Sequence, residues 1–399
     1  MGSGWSSRDR MLAALSGKVP DRVPCSFMIF GALRKRTRNQ EEFVQRALDL
    51  GLDAFVEIPP RRNDLDRRAY DAYDLYGLPV RFPLEVTVTD RREDLPGVAH
   101  PRVHRRYDTP AGPLTTTVDT SADWLHGDRV PLFDDYIVPR GVKRLVEGPA
   151  DLPALKRLLG PLPAADLRAF REEAAIAKKF AADRGLLTVG EWGVLFDAVC
   201  WLCGMEEIAL RAVEEPEFVE EVFTIVWEWN RARMEIVLEA GVDLWVRRGW
   251  YENVDFLSPA TYRRFVLPRL KREAQIAHQA GTKLGVITSM SYTPILDDYL
   301  AAGLDVLIGL DPVQDPRADF ALTKKKLGGR VGLWGGVNGC VTIETGTEVE
   351  VHRAVAHAMD TLAPGGGFVL SPVDNVREDT PRAWSNVNAF LDEWKRRRG

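Results

Sequence analysis

"KLGVITSMSYTPILDDYLAAGLDVLIGLDP", Lys283 to Pro312, reads as a strand, a polar turn, a helix and a second strand. The runs Lys283–Thr288 and Val306–Leu310 are short and almost wholly apolar, as strands covered on both faces are. Thr293–Ala302 between them has helical spacing. A strand, a crossover helix and a second buried strand make a parallel β-α-β unit. The first strand ends in Thr288-Ser289-Met290-Ser291 and the second in Asp311.

The same alternation runs outward in both directions. Candidate strands are Val23–Ile29, Asp53–Ile58, Leu186–Glu191, Asp243–Arg247, Lys283–Thr288, Val306–Leu310, Arg330–Trp334 and Gly367–Leu370. Helical patterns separate them at Glu41–Leu50, Glu206–Ala240, Pro259–Ala280, Thr293–Ala302, Asp319–Leu327 and Val349–Leu362. Eight strands with crossover helices point to an α/β fold of the (β/α)8 TIM-barrel type. An open doubly wound sheet competes, but "IFGALRKR" after the first strand lacks the glycine fingerprint of that fold. Near residues 78–140 the rhythm breaks. "VRFPLEVTVTD" and "RVHRRYDTPAGPLTTTVDT" alternate with a period of two around Pro/Gly turns, predicting an inserted antiparallel β excursion. We read residues 1–399 as a single domain.

Composition sets the outer limits. The chain is 45% hydrophobic and 28% charged, with a net charge of -5, which is ordinary for a globular protein. The basic clusters Arg34-Lys35-Arg36 and Lys395–Arg398 are short and read as solvated helix faces, so no nucleic-acid partner is expected. No apolar run approaches the roughly 20 residues that span a bilayer, and the first residues have no signal-peptide core, so no membrane partner and a cytoplasmic location are expected. Four cysteines do not make a disulfide framework. Cys200 and Cys203 lie in the helical "FDAVCWLCGMEEIAL", where buried structural thiols are the plain reading. None of the six histidines falls in an H-E-x-x-H or H-x-H pattern, which disfavours a histidine-rich metal site.

In a barrel, chemistry sits where strands end, at the C-terminal face. Those positions carry Glu57, Glu191-Trp192, Arg247-Arg248 with Asn253 shortly after, Thr288–Tyr292, Asp311, Asn338 and Asp374. Each has a plain alternative. Asp311 before Pro312 starts a turn or caps a helix, Glu57 or Glu191 pairs with Arg247 or Arg248, and the tryptophans belong to the core. Together they suit a small polar organic ligand with hydrogen-bonding edges, with carboxylates as acids or bases.

Several stretches resemble the uroporphyrinogen decarboxylase superfamily. They are "SGKVPDRVPCSFM" (Ser16–Met28), "TPAGPL", "VEGPADLPALKRLL", "FLSPATYRRFVLPRLKREAQIAHQAGTKLGVI", "ILDDYLAAGLDVLIGLDP", "GLWGGVNGCVTIETGTEVEV" and "APGGGFVLSPVDNVREDTPRAWSNVNAF". The resemblance covers essentially the whole chain and implies a (β/α)8 barrel. It also implies one of two chemistries. True decarboxylases remove acetate carboxylates from a tetrapyrrole without a cofactor. A second branch contains corrinoid-linked methyltransferases, many with zinc on a His-x-Cys motif after the fifth strand. Here Thr288-Ser289-Met290 stands at that motif, and alcohols and a thioether do not replace imidazole and thiolate on zinc. The arginine-rich segment that true decarboxylases carry after the first strand is not reproduced in "IFGALRKRTRN".

The resemblance therefore implies a methyltransferase without the zinc motif. Methyl would move between a methylcobalamin-type corrinoid on a separate protein and an acceptor such as tetrahydrofolate. Glu191 and Asp374 are the candidate catalytic residues. Glu57, Trp192, Arg247, Arg248, Asn253, Ser289, Met290, Tyr292, Asp311 and Asn338 are the candidate substrate-binding residues, with no metal ligand. The alternatives are a uroporphyrinogen decarboxylase-type carboxy-lyase and a non-catalytic ligand-binding barrel.

Overall fold

The computed structural model describes residues 4–60, 82–288 and 290–399. They form two compact units, the first from Met1–Asn63, Ala174–Gly190 and Leu238–Gly399, the second from Asp64–Glu173 and Glu191–Val237.

The first unit is built on parallel strands. They are β1 (Phe55–Ile58), β6 (Leu187–Val194, which crosses into the second unit after Gly190), β7 (Leu244–Arg248), β8 (Lys283–Ile287), β9 (Val306–Leu310), β10 (Gly332–Asn338) and β11 (Phe368–Val373). The intervening labels β2 to β5 belong to the second unit. The order β1-β6-β7-β8-β9-β10-β11 follows the chain, as successive β-α-β units dictate. Nearly every residue of these strands is buried. That is why the sequence shows continuous apolar runs and no alternation.

The segment read as a first strand, Val23–Ile29, makes only one isolated parallel bridge, Cys25 to Leu370. Ser26 N–H donates to Leu370 O at 3.0 Å, Leu370 N–H to Pro24 O at 2.9 Å, and Asp53 N–H to Cys25 O at 2.7 Å. The segment thus touches β11 and the entry to β1, but Pro24 has no N–H to extend a ladder.

Other boundaries moved for equally local reasons. The helix expected over Glu206–Ala240 is two, Met205–Glu214 and Pro216–Glu239, broken where Pro216 starts the second. The helix expected over Pro259–Ala280 opens with the short turn Pro259–Thr261, widens over Tyr262–Val266 and continues as Leu267–Gln279. Pro268 cannot donate within that ladder. Strand β10 is longer than expected because it bulges between Trp334 and Gly335. Gly335 has φ +148°, and a Cβ there would lie 2.7 Å from Leu310 N, so only glycine fits.

At the N-terminal strand ends, charged groups brace the fold. Arg8 donates to both carboxylate oxygens of Asp243 at 2.6 and 3.1 Å, and Asp243 accepts from Thr188 N–H and Oγ1 at 3.0 Å. Arg10 reaches buried Asp53 at 2.6 Å.

The second unit holds the antiparallel excursion. Strands β2 (Thr87–Glu93), β3 (Arg102–Thr109), β4 (Gly112–Asp119) and β5 (Gly141–Lys143) lie in the order β2-β3-β4-β5. Residues 78–81 of the expected span fall outside the described residues, and β5 lies wholly beyond its expected end at residue 140. Val103, Val118, Val130 and Ile137 form the core of this unit with Trp124 against them. Arg105 is fully buried and bidentate to Asp90 at 2.7 and 2.8 Å. Cys200 and Cys203 are buried free thiols in the helix Phe196–Cys203, and burial pushes the Cys203 thiol up to about 12. Among the described residues no helix is long and apolar enough to cross a membrane.

Candidate functional site

The C-terminal ends of the parallel strands carry the polar residues that the sequence singled out. At β1, Gln40 of the helix Gln40–Asp49 fixes the Glu57 backbone from both sides. Glu57 N–H donates to Gln40 Oε1 at 3.1 Å, and Gln40 Nε2 donates to Glu57 O at 3.2 Å. The side chain is buried. Its Oε1 accepts from Arg34 Nη2 at 2.9 Å, and Arg34 lies over the Phe43 ring. Its Oε2 is shielded from water and has no hydrogen-bond partner among the described residues.

At β7, adjacent arginines serve opposite faces. Arg247 turns toward the helix layer. It donates to Glu252 at 2.5 Å and to Glu273, on the helix Leu267–Gln279, at 3.3 Å. Burial opposes its charge, but the two glutamates outweigh burial and raise its pKa. Arg248 points the other way, its guanidinium 4.2 Å from the Trp250 ring centroid and 5.7 Å from that of Tyr251. Asn253 holds its own loop, donating to Trp250 O at 2.7 Å and accepting from Asp255 N–H at 3.0 Å.

Past β8, Thr288 is buried and Met290 half-buried, and Ser289 lies outside the described residues. Ser291 has φ +51°, and its N–H donates to Asp315 at 2.6 Å. Tyr292 is buried, and that burial raises its hydroxyl pKa.

At β9 and β10, two predicted residues meet. Asn338 Nδ2 donates to Asp311 Oδ2 at 2.6 Å. Asp311 Oδ1 accepts from Val313 N–H at 2.8 Å and Gln314 N–H at 3.1 Å, while Asn338 Oδ1 accepts from Val341 N–H at 2.5 Å. Burial raises the Asp311 pKa, and these donors offset it only in part. After β11, Asp374 is half-buried in a left-handed conformation, φ +65°, which Asp tolerates better than most residues. Next to it, Asn375 Oδ1 accepts from Gly31 N–H at 2.8 Å, joining the first and last strand-end loops.

Glu191 and Trp192 belong to the second unit. They are buried, and the Trp192 indole N–H donates to Glu191 Oε2 at 2.6 Å. The structure thus joins Asp311 with Asn338 and Glu191 with Trp192. It gives Glu57, Arg247 and Asn253 partners outside the predicted set. The sequence reading missed Arg34 as the partner of Glu57, and Glu252 and Glu273 as partners of Arg247. It also missed Asp255, Asp315 and Arg317 around Ser291. Arg34 carried a signal, since it follows the first strand segment; Glu273 carried none beyond its helix.

Among the described residues, no three His, Cys, Asp or Glu side chains converge as a metal site requires.

The sequence pattern described as Uroporphyrinogen decarboxylase (URO-D) matches residues 136–397, more than half of the chain. The chain belongs to the uroporphyrinogen decarboxylase family. Two curated relatives, both "Methylcobamide:CoM methyltransferase MtaA", one from Methanosarcina barkeri and one from its strain Fusaro / DSM 804, are 24% identical over 385 residues. The match covers 94% of this chain and 96% of each relative. A solved structure, "methyltransferase from Methanosarcina mazei", superposes with a TM-score of 0.57 at 18% identity, covering 98% of this chain and 99% of that one. This last likeness bears on fold. The family and its methyltransferase relatives bear out the resemblance read from the sequence, including the corrinoid-linked branch.

Proposed function

We propose that this family member is a metal-free methyltransferase that moves a methyl group between a methylcobalamin-type corrinoid, carried by a separate protein, and tetrahydrofolate or a similar acceptor. We take residues 1–399 as one functional domain, since the family match at 136–397 draws on both compact units. We take the seven strands, with the bridge at Cys25, as a (β/α)8 barrel whose C-terminal face is the active face. The absence of zinc chemistry rests on Thr288-Ser289-Met290 at the position where zinc-binding relatives carry His and Cys.

The observation that carries this reading is the charge state of the strand ends. A tetrapyrrole bearing many carboxylates needs free guanidinium groups. Arg247 is already held by two buried glutamates, and Arg34 by Glu57. Glu57, in contrast, keeps a buried acceptor oxygen with no donor among the described residues. Such an oxygen suits a ligand that brings an N–H, as the amide and amino edges of a pterin do. A methylcorrinoid, when bound, would supply an electrophilic methyl group, with the bond between methyl and cobalt breaking and its electron pair leaving with the corrinoid. The acceptor nitrogen gives up its proton as the N–C bond forms, and a strand-end carboxylate receives that proton. Asp374 in the first unit and Glu191 in the second are our separate candidates for it. Arg248, Met290 and Tyr292 would contact the ligand in the first unit, and Trp192 holds Glu191 in the second.

The test is anaerobic mixing with methylcobalamin and tetrahydrofolate, followed by absorbance. Demethylation is expected to depend on the acceptor and to fall strongly in Glu191→Gln and Asp374→Asn, with melting temperatures near wild type. Coproporphyrinogen formed from uroporphyrinogen, with no demethylation, would transfer the protein to the decarboxylase reading. Stoichiometric tightly bound zinc would sink the metal-free claim.

A further inference from the structure

Three loops at the C-terminal strand ends meet at one serine. Ser291, after β8, is buried and has φ +51°, a conformation that costs a non-glycine residue energy unless its surroundings enforce it. Its surroundings are specific. Its N–H donates to buried Asp315 of the loop after β9 at 2.6 Å. Its carbonyl accepts from Val254 N–H of the loop after β7 at 3.4 Å. Its hydroxyl donates to Asp255 of the β7 loop and accepts from Arg317 of the β9 loop. Arg317 also donates to Asp255, which closes a ring of contacts across all three loops.

The parts differ in how firmly they are held. Asp315 is fully buried, and it accepts from the Arg317 N–H at 2.9 Å as well as from Ser291, so this part is fixed by backbone bonds. The Arg317 side chain is 53% exposed and that of Asp255 33%. An ion pair so exposed contributes little to global stability. It does cross-link the loops after β7 and β9. The flanking residues Met290 and Tyr292 are carried by the turn that this ring fixes.

We propose that Arg317 is a positioning residue: its bonds to Asp255 and Ser291 lock the loops after β7, β8 and β9 into one rim, and so set where Met290 and Tyr292 stand. The proposal rests on the methyl-transfer reading only for what the rim serves, not for the lock itself. Releasing Arg317 leaves the strands and the backbone bonds of Ser291 to Asp315 and Val254 in place, and loosens the loops after β7 and β9 where its side chain joined them.

Limited proteolysis with chymotrypsin tests the lock on the full chain. Tyr251, Phe256 and Tyr292 lie in the affected loops. In Arg317→Gln, cleavage after these residues is expected to quicken at least tenfold, with the melting temperature near wild type. The charge-reversed double variant Asp255→Arg/Arg317→Asp is expected to restore most of the protection, which a generic loss of stability would not do. Cleavage of Arg317→Gln at the wild-type rate would overturn the proposal, and so would a double variant as exposed as the single one. Methyl transfer is then read separately. A lower kcat with unchanged KM for methylcobalamin in Arg317→Gln, rescued in the double variant, ties the rim to the chemistry. Protection that follows the variants in a protein with no methyl transfer upholds the lock and sinks the function reading instead.

Discussion

Exchanging the acid and the amide of the β9–β10 pair gives a sharp test of the polar wiring. Asp311 accepts three N–H groups, from Val313, Gln314 and Asn338, and Asn338 accepts one more from Val341. In Asp311→Asn, one oxygen becomes a donor. Turned one way it faces the Asn338 amide nitrogen, and turned the other it faces two backbone N–H groups. The first loses less, a single bond to a buried charged acceptor, and costs about 2 kcal/mol after relief of the Asp311 desolvation is allowed for. In Asn338→Asp, a second carboxylate stands within hydrogen-bond distance of the first, so one must bind a proton. Displacing a carboxyl pKa by two to three units to do so costs about 3–4 kcal/mol at neutral pH. The double variant restores every bond in reversed polarity. The amide at position 311 keeps an oxygen for Val313 and Gln314 and gives its nitrogen to the acid at 338, which still accepts from Val341. It is expected within about 1 kcal/mol of wild type, so the two changes couple by several kcal/mol. Thermal unfolding gives the ranking. Hydrogen exchange at the amides of Val313, Gln314 and Val341 gives the local effect, with protection about 30-fold lower for each 2 kcal/mol and regained in the exchange variant. A double variant no more stable than the worse single one would refute the assigned bonding.

Other outcomes follow from the same structure. Arg247→Met strands two buried glutamates and is expected to destabilise by about 3–5 kcal/mol, whereas adding Glu252→Gln and Glu273→Gln recovers much of the loss, as denaturant titration would reveal. Glu393 is buried, which opposes its charge, but Arg396, Arg397 and His352 hold its carboxyl down at about 2, below the ordinary 4.5. With the folded value depressed, its stabilisation is complete above pH 4.5 and is lost as pH falls from there through about 2. Glu393→Gln should therefore flatten the acid side of a melting-temperature profile, and an unchanged acid slope would contradict the assignment. Among the four cysteines only Cys340 is not fully buried, so mass spectrometry after brief alkylation is expected to find label there and not on Cys25, Cys200 or Cys203 until the protein unfolds.

The strands were legible because burial on both faces leaves a plain mark. Leu284–Ile287 and Val306–Leu310 have no polar residue to signal a solvent face. The first segment, Val23–Ile29, carries the same apolar mark and yet bridges at only one residue. Apolarity reports burial and not hydrogen bonding, and the proline within the segment decided the matter. The antiparallel excursion was legible from its period-two pattern. The division into two compact units was not, because the boundary after Gly190 falls within a continuous strand, β6, where composition does not change.

The candidate site shows a different limit. A polar residue at the end of a buried strand has two physical explanations, a ligand or a neighbour, and sequence spacing does not separate them. Accounting for each donor and acceptor does. Asp311 gives both its oxygens to two loop N–H groups and Asn338, Asn253 gives its amide to its own turn, and Arg247 is matched by acids 5 and 26 residues away. These bonds fix the loops that form the rim. Glu57 resists the same explanation, because Gln40 and Arg34 fix its backbone and one oxygen and still leave the other buried with no donor among the described residues. A protein gains nothing in stability from such an oxygen. In the function proposed above, a ligand would supply the missing N–H, and the rigidity of the surrounding bonds would make that ligand specific.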